Sequence, residues 1–121
     1  MINLLLVFLG GGLGSITRFG ISNLVVANFK TVFPIATFLS NVISCLILAL
    51  TIGMFNDKLI SNPNFRMLIL TGFCGGFSTF STFSYETVEL MRTGNILIAI
   101  ANILISVTVC ISLIYFLTKQ I

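Results

Sequence analysis

Four apolar stretches fill this chain, over about 2–26, 33–55, 65–91 and 96–117, and each is long enough to cross a lipid bilayer. One helical span takes roughly 20 residues, so four spans and their connections use up all 121 residues. The charge count agrees. Six Lys and Arg with three Asp and Glu make up 7% of the sequence, against about 25% in an average soluble domain. So few charges cannot cover a water-soluble fold, which excludes a soluble enzyme. A disordered chain is excluded by the opposite requirement, low hydrophobicity. The expected fold is all-α: one membrane domain over residues 1–121, with four transmembrane helices and antiparallel neighbours. Polar connections are expected at 28–31, 56–64 and 92–95. Residues 1–9 look like a short signal-peptide core. No basic residue precedes them and glycines lead straight into more apolar sequence, so they read as the start of a retained first span.

The titratable groups remove several chemistries. There is no His, the commonest metal ligand and general base. Cys45, Cys74 and Cys110 stand far apart, each inside an apolar run, and read as small packing residues. Arg18, Lys30, Lys58, Arg66, Arg92 and Lys119 are scattered singly, whereas a nucleic-acid partner needs a basic patch or stripe. That scatter also bears on topology. Four spans put both ends and the 56–64 connection on one side, with Lys58, Arg66 and Lys119, and leave Lys30 and Arg92 on the other. Three against two gives the positive-inside rule almost nothing to act on. A chain with so little bias can insert both ways. Two opposed copies then form an antiparallel dimer, the intermolecular counterpart of an inverted repeat.

Polar side chains inside spans are costly in lipid and mark function by default. Arg18 can anchor at the interface or join a structural ion pair, its stem snorkelling toward water. It can equally form an electropositive vestibule that concentrates anions. Glu86 lies deeper in its span than Glu89. It can cap, pair with a cation or lie at a pore end, and exposed and ionised it would repel an anion. Thr37 and Asn41 lie four apart on the second span with Ser44 nearby, and Asn102, Ser106 and Cys110 repeat that spacing on the fourth. Single hydroxyls can bond back to their own helix. Buried Asn amides need partners, either across helices or in a pore.

The run Gly10-Gly11-Gly12-Leu13-Gly14-Ser15 looks superficially like a dinucleotide fingerprint. Ser15 stands where the third Gly belongs, and no βαβ unit fits an apolar span. Gly10 and Gly14, four apart, read instead as a close helix-packing face. The third span carries the strongest signal, from Gly72 to Ser84, where Gly75-Gly76 and five Ser and Thr sit in mid-span. Gly pairs are a known place for a helix to break. A break frees carbonyls and amides that lipid cannot satisfy, so they must face protein, water or ions. Converging carbonyls there suit a hard monovalent cation; a kink without a ligand is the plainer alternative. Phe77, Phe80 and Phe83 recur every three residues. They can be simple core, or they can turn their positive ring edges toward an anion. Ser78, Thr82 and Glu86, at four-residue spacing, form a polar track beside them.

These segments resemble the small fluoride-channel family, called Fluc or CrcB, over nearly the whole chain. The resemblance rests on Gly11-Gly12-Leu13-Gly14-Ser15-Ile16-Thr17-Arg18-Phe19, on Pro34-Ile35-Ala36-Thr37-Phe38-Leu39-Ser40-Asn41, and on the stretch from Gly72 through Gly75-Gly76-Phe77-Ser78 to Glu86. It implies a multi-pass protein of the inner (plasma) membrane, a dual-topology homodimer with two antiparallel fluoride pores. It implies that Phe80 and Phe83 present ring edges to fluoride, that Asn41 donates its amide to the ion, and that Arg18 lines the entrance. Thr37, Ser81 and Thr82 would belong to the polar path, with Ser106 and Cys110 on the fourth helix. Glu86 and Asn102 are left at a pore end or in structural roles. The resemblance further implies a structural Na+ at the dimer axis, bound by the main-chain carbonyls of Gly75 and Ser78. Departures from the family pattern are Ser78 for Thr, Ala36 and Ser44 for Gly, Asn102 for an aromatic residue and Cys110 for a hydroxyl.

The implied activity is passive fluoride efflux. Neutral HF crosses the membrane, dissociates in a less acidic cytoplasm and leaves fluoride trapped. A channel lets the anion leave, helped by an inside-negative potential. Selectivity then rests on hydroxyls, amides and ring edges replacing the hydration shell in a narrow pore. Small multidrug exporters share the size and the dual topology. They need a carboxylate in the first span, where this chain has Arg18 and no Asp or Glu. A non-transporting assembly subunit would leave the alternation of hydroxyls and aromatics unexplained. The topology reading has a direct check. Reporter tags on the C-terminus are expected on both faces of the membrane, and tags confined to one face would overturn dual insertion.

Overall fold

A computed structural model describes residues 2–119, so the outer limits of the expected 1–121 domain lie outside the described residues. Every regular element among the described residues is helical. Helix α1 spans Ile2–Asn28 and α2 spans Ile35–Ser61. Pro63–Arg66, Met67–Cys74 and Gly75–Phe77 run on from one another as α3, whose central part is wound as a π-helix. Helix α4 spans Phe80–Arg92 and α5 spans Ile96–Thr118. Four segments are long and apolar enough to cross a membrane: Ile2–Asn28, Ile35–Lys58, Pro63–Arg92 and Ile96–Thr118. The third of these is α3 and α4 together. Leu4, Phe8, Ile16, Leu97 and Leu104 stand exposed on the outer faces, a surface suited to lipid and not to water.

The connections follow capping chemistry. The expected open loop at 56–64 is mostly helical. Helix α2 continues to Ser61 past a single non-helical residue, Phe55 (φ −124°, ψ 30°), where the apolar run ends. Asn62 then closes the segment. Its backbone is extended, its side-chain oxygen accepts from the Phe65 N–H at 3.2 Å, and Pro63 follows at the first helical position. One residue therefore ends α2 and starts α3. Helix α4 ends in a Schellman turn. The Asn95 N–H donates to the Leu90 carbonyl (2.8 Å) and the Gly94 N–H to that of Met91 (3.2 Å). Gly94 supplies the positive φ of 83° that this turn requires.

Helix α1 lies along α3, α2 lies along α5, and α4 packs on α5. The α1–α3 contact is backbone against backbone, as the spacing of Gly10 and Gly14 predicts. A Cβ at Gly10 would meet the Leu68 carbonyl oxygen and stand 2.9 Å from the Phe73 nitrogen. One at Gly14 would meet the Phe73 carbonyl oxygen and stand 2.8 Å from the Phe77 nitrogen. The facing helix answers in kind: Gly72 lies against Gly10, and Gly76 against Gly11. Small residues four apart on both helices let the main chains approach closely, which is the main source of helix association where lipid removes the hydrophobic drive.

Because each of these clashes is with rigid backbone, Gly14→Ala is expected to cost about 1–3 kcal/mol, in the range of overpacked cores. Gly20→Ala, where an added Cβ meets nothing within 4 Å, is expected to be neutral or slightly stabilising. Thermal unfolding of the detergent-purified variants checks both. Equal midpoints for Gly14→Ala and Gly20→Ala would show that the crossing does not depend on the missing side chain.

Candidate functional site

The third span breaks in mid-membrane, but not at its paired glycines. Gly75 keeps helical angles (φ −64°, ψ −36°), and the chain leaves the helix at Ser78 (φ −82°, ψ 159°) and Thr79 (φ −150°, ψ 122°). Gly76 is used for the crossing with α1 instead. The break is fixed from α2. The Asn41 side-chain oxygen accepts from the Thr79 N–H at 2.8 Å, and its amide nitrogen donates to the Thr79 carbonyl at a longer 3.4 Å. Upstream, the Cys74 carbonyl accepts from the Ser78 N–H (3.1 Å), the Ser78 hydroxyl (3.0 Å) and the Ser44 hydroxyl (3.0 Å). Downstream, the Thr79 hydroxyl accepts from the Thr82 N–H at 3.2 Å and caps α4.

Two helix ends of opposite polarity therefore meet inside the protein. The Arg18 Nε donates to the Gly76 carbonyl at 3.3 Å, and the Ser15 hydroxyl approaches the same oxygen at 3.5 Å. A cation at the last turn of α3 complements the negative end of its dipole. The start of α4 has the reverse character. With Thr82 capped and Thr79 held by Asn41, the Phe80 and Ser81 N–H groups keep no helical acceptor. A helix N-terminus of this kind attracts negative charge.

A cavity of about 300 Å³ opens at this point. Helix α2 gives it Asn41 and Cys45, the break gives Ser78 and Thr79, α4 gives Phe80 and Phe83, and α5 gives Ser106 and Cys110. No charged side chain lines it. The two rings lie with centroids 5.9 Å apart and planes inclined by 40°. Phe83 is buried, whereas Phe80 is 80% exposed. Behind the cavity, a buried polar chain joins α5 to α4. Ser106 donates to the Asn102 side-chain oxygen (3.2 Å), Asn102 donates to the Thr87 hydroxyl (3.0 Å), and Thr87 donates to the Phe83 carbonyl (2.8 Å). Both ends of the Asn102 amide are thus satisfied by protein, and the residue holds the helix that carries Phe83.

A second cleft lies at the other end of α4. Thr31, Phe33 and Pro34 face Tyr85, Glu86, Glu89 and Thr93 across it. Since α2 runs from Pro34 toward Asn41 while α4 runs from Phe80 toward Thr93, cavity and cleft lie toward opposite ends of one antiparallel helix pair. Buried Thr37 lies between them, one turn before Asn41 and beside the Glu86 carboxyl. One Glu86 oxygen, Oε1, is buried without a hydrogen-bond partner. Glu89 is paired with Arg92 at 3.3 Å.

The residues singled out in the sequence therefore divide. Asn41, Phe80, Phe83, Ser106, Cys110 and Ser78 meet at the cavity. Thr37 and Glu86 lie farther along the same helix pair. Arg18 sits on the α1–α3 side, on the Gly76 carbonyl. Ser81 is exposed with its hydroxyl 3.3 Å from that of Thr79, and Thr82 contributes its N–H to the cap. The spacing that would put Ser78, Thr82 and Glu86 on one face does not carry across the break, because Ser78 is extended and only the other two are on α4. Thr79 and Cys45 line the cavity without having been singled out. For Thr79 a signal existed: a Thr directly before Phe80, the first apolar residue of a run that repeats at Phe83, is a helix-capping position.

The family model described as "CrcB-like protein, Camphor Resistance (CrcB)" matches residues 5–117. Proteins named "Fluoride-specific ion channel FluC" are similar over most of the chain. The one from Gloeothece citriformis is 42% identical over 106 residues, covering 88% of this chain and 85% of its own. Those from Pyrococcus horikoshii and Coxiella burnetii are 44% identical over 110 residues (91% and 88% covered) and 40% identical over 111 residues (91% and 90%).

Proposed function

Since this chain belongs to the CrcB-like family, we propose that it is a fluoride-selective channel that lowers cytoplasmic fluoride by passive efflux. It is a multi-pass membrane protein of four spans. The observation that carries the reading is the start of α4. A positive helix end with free N–H groups opens beside an uncharged cavity lined by Asn41, Phe80, Phe83 and Ser106. A small anion of high hydration energy enters such a place only if donors replace its water. Asn41 keeps an N–H without a protein acceptor, because only one of its two is committed to Thr79. The Phe80 and Phe83 ring edges add positive quadrupole charge without adding a cation. Ser106 spends its proton on Asn102, so its hydroxyl must rotate to meet the ion. Neutral donors of this kind hold an anion weakly enough to let it go, as conduction demands.

In this reading the pore is completed by a second, inverted copy, giving an antiparallel homodimer with two pores. The exposure of Ser81 beside the break supports it, since a hydroxyl and freed peptide groups in mid-membrane are poor lipid neighbours. Arg18 and Thr37 with Ser81, Thr82 and Cys110 would then border the entrance and the polar path, and Glu86 would stand at the cleft end.

The carbonyls of Gly75 and Ser78 are proposed to hold a structural Na+ between the two copies. Their donor chemistry fits. The helical donors these carbonyls would use, the Thr79 and Thr82 N–H groups, go to Asn41 and to the Thr79 hydroxyl. Both oxygens are left with free lone pairs. Gly75 is also exposed on the subunit surface. Neutral oxygens suit a hard cation, and the ion would supply positive charge against the negative ends of two α3 helices.

Two measurements follow. In proteoliposomes, Phe80→Ile with Phe83→Ile is expected to reduce fluoride efflux about tenfold or more, since two ring-edge contacts of about 0.5–1.5 kcal/mol each are lost. Chloride serves as the control ion. Normal fluoride flux in the double variant would refute the aromatic assignment, and no fluoride flux in the unaltered protein would refute the channel. Separately, exchange of Na+ for N-methylglucamine is expected to lower thermal stability, by about 2.7 kcal/mol if Na+ stood at 100 times its Kd. Identical unfolding midpoints would remove the sodium site.

A further inference from the structure

Isolation in the sequence makes Cys45 and Cys110 look like packing residues, but the fold brings them together. Helices α2 and α5 lie along each other, and both thiols line the cavity beside α4. They are neighbours in that lining, on two helices in contact. Both are free and only partly buried, while Cys74 is free, buried and not part of the lining. Nothing else in the lining is a strong ligand. Asn41 and the Ser and Thr hydroxyls are neutral, Val107 and Ile111 are apolar, and no carboxylate or imidazole is present. Among the described residues no group of three or more metal-ligating side chains exists.

A pair of soft sulfur ligands in a wall with no third or fourth donor selects by chemistry. Hard ions such as Mg2+ or Ca2+ want several oxygens, and structural Zn2+ wants four ligands. Soft d10 ions that accept two thiolates are left. We propose that Cys45 and Cys110 form a two-thiolate site for a soft, two-coordinate metal ion of the copper(I), silver(I) or mercury(II) class, and that its occupancy closes the cavity to anions. Each thiol gives up its proton, two sulfur–metal bonds form, and nothing is oxidised or reduced. The metal bridges α2 and α5 beside Ser106 and Phe83, placing its bulk in the space an anion would use. The closure rests on the channel reading; the metal site does not.

The purified protein, with and without one equivalent of mercuric acetate per chain, is treated with N-ethylmaleimide and weighed intact. Without metal, Cys45 and Cys110 are both expected to be alkylated; with metal, neither. Protection of one thiol or of none would overturn the site in the unaltered protein, without recourse to any variant. Glutathione is expected to strip the metal from Cys45→Ser or Cys110→Ser on the order of 100-fold more easily than from the unaltered protein, because the second attachment is lost. Retention equal to that of the unaltered protein would also overturn it. Cys74→Ser is expected to be protected as the unaltered protein is. In proteoliposomes, mercuric ion is expected to stop fluoride efflux and dithiothreitol to restore it. Undiminished efflux with both thiols protected overturns the closure. A protein that conducts no fluoride overturns the channel reading and the closure with it, while the maleimide count still decides the metal site.

Discussion

A helix that breaks inside a membrane must find a partner for every peptide group it frees, because lipid offers none. The Asn41 side chain meets that demand at Thr79, taking its N–H at 2.8 Å and reaching its carbonyl at 3.4 Å. An amide side chain is suited to this, since it carries a donor and an acceptor spaced like those of a peptide. The neighbouring groups are met from three directions. Ser44 reaches the Cys74 carbonyl from α2, Arg18 reaches the Gly76 carbonyl from α1, and Thr79 caps the Thr82 N–H within its own segment. The groups left over are the Gly75, Phe77 and Ser78 carbonyls on one side and the first N–H groups of α4 on the other. They give the protein an oxygen-rich face and an anion-attracting face a few residues apart.

The glycines serve a different end from the one that their pairing suggests. Gly72 and Gly76 meet Gly10 and Gly11, and Gly14 meets Phe73 and Phe77, so α1 is seated directly on the main chain of α3. That seating brings Arg18 within reach of the broken end. The buried chain of Ser106, Asn102, Thr87 and the Phe83 carbonyl does the corresponding work on the other side, tying α5 to α4. Glycine contact on one side and polar contact on the other hold the break in place, and neither depends on the hydrophobic effect, which has little force between helices in lipid.

The fluoride reading draws its physical sense from the same economy of charge. An ion as strongly hydrated as fluoride would be trapped by a cationic site and refused by an apolar one. Partial charges from a helix end, an amide and two ring edges lie between these extremes, and the cavity has no ionised side chain in its lining. The carboxylates stand apart, with Glu86 and Glu89 at the cleft where α4 ends.

Much of this is legible in the sequence alone. Four apolar runs and nine scattered charges left no alternative to a four-span membrane protein, and Gly10 with Gly14 declared a close helix contact. The interruption of the third span was legible too, because Gly, Ser and Thr crowd its centre. Where that span breaks was not, since Gly75-Gly76 is the weaker local element but Asn41 on another helix selects Ser78 and Thr79. The roles of the Asn residues were open for the same reason. Asn41 and Asn102 look alike in sequence, and only the packing of α2 against the break, and of α5 against α4, separates the amide that brackets the cavity from the one buried behind it. The meeting of Cys45 with Cys110 was also invisible, because 65 positions of separation say nothing about which helices lie side by side. Sequence by itself determined the solvent, the number of spans and the segment that fails as a helix, because these follow from local composition and the thickness of a bilayer. Tertiary structure decided which freed peptide groups are satisfied and which are left to meet an ion, because that depends on side chains arriving from other helices.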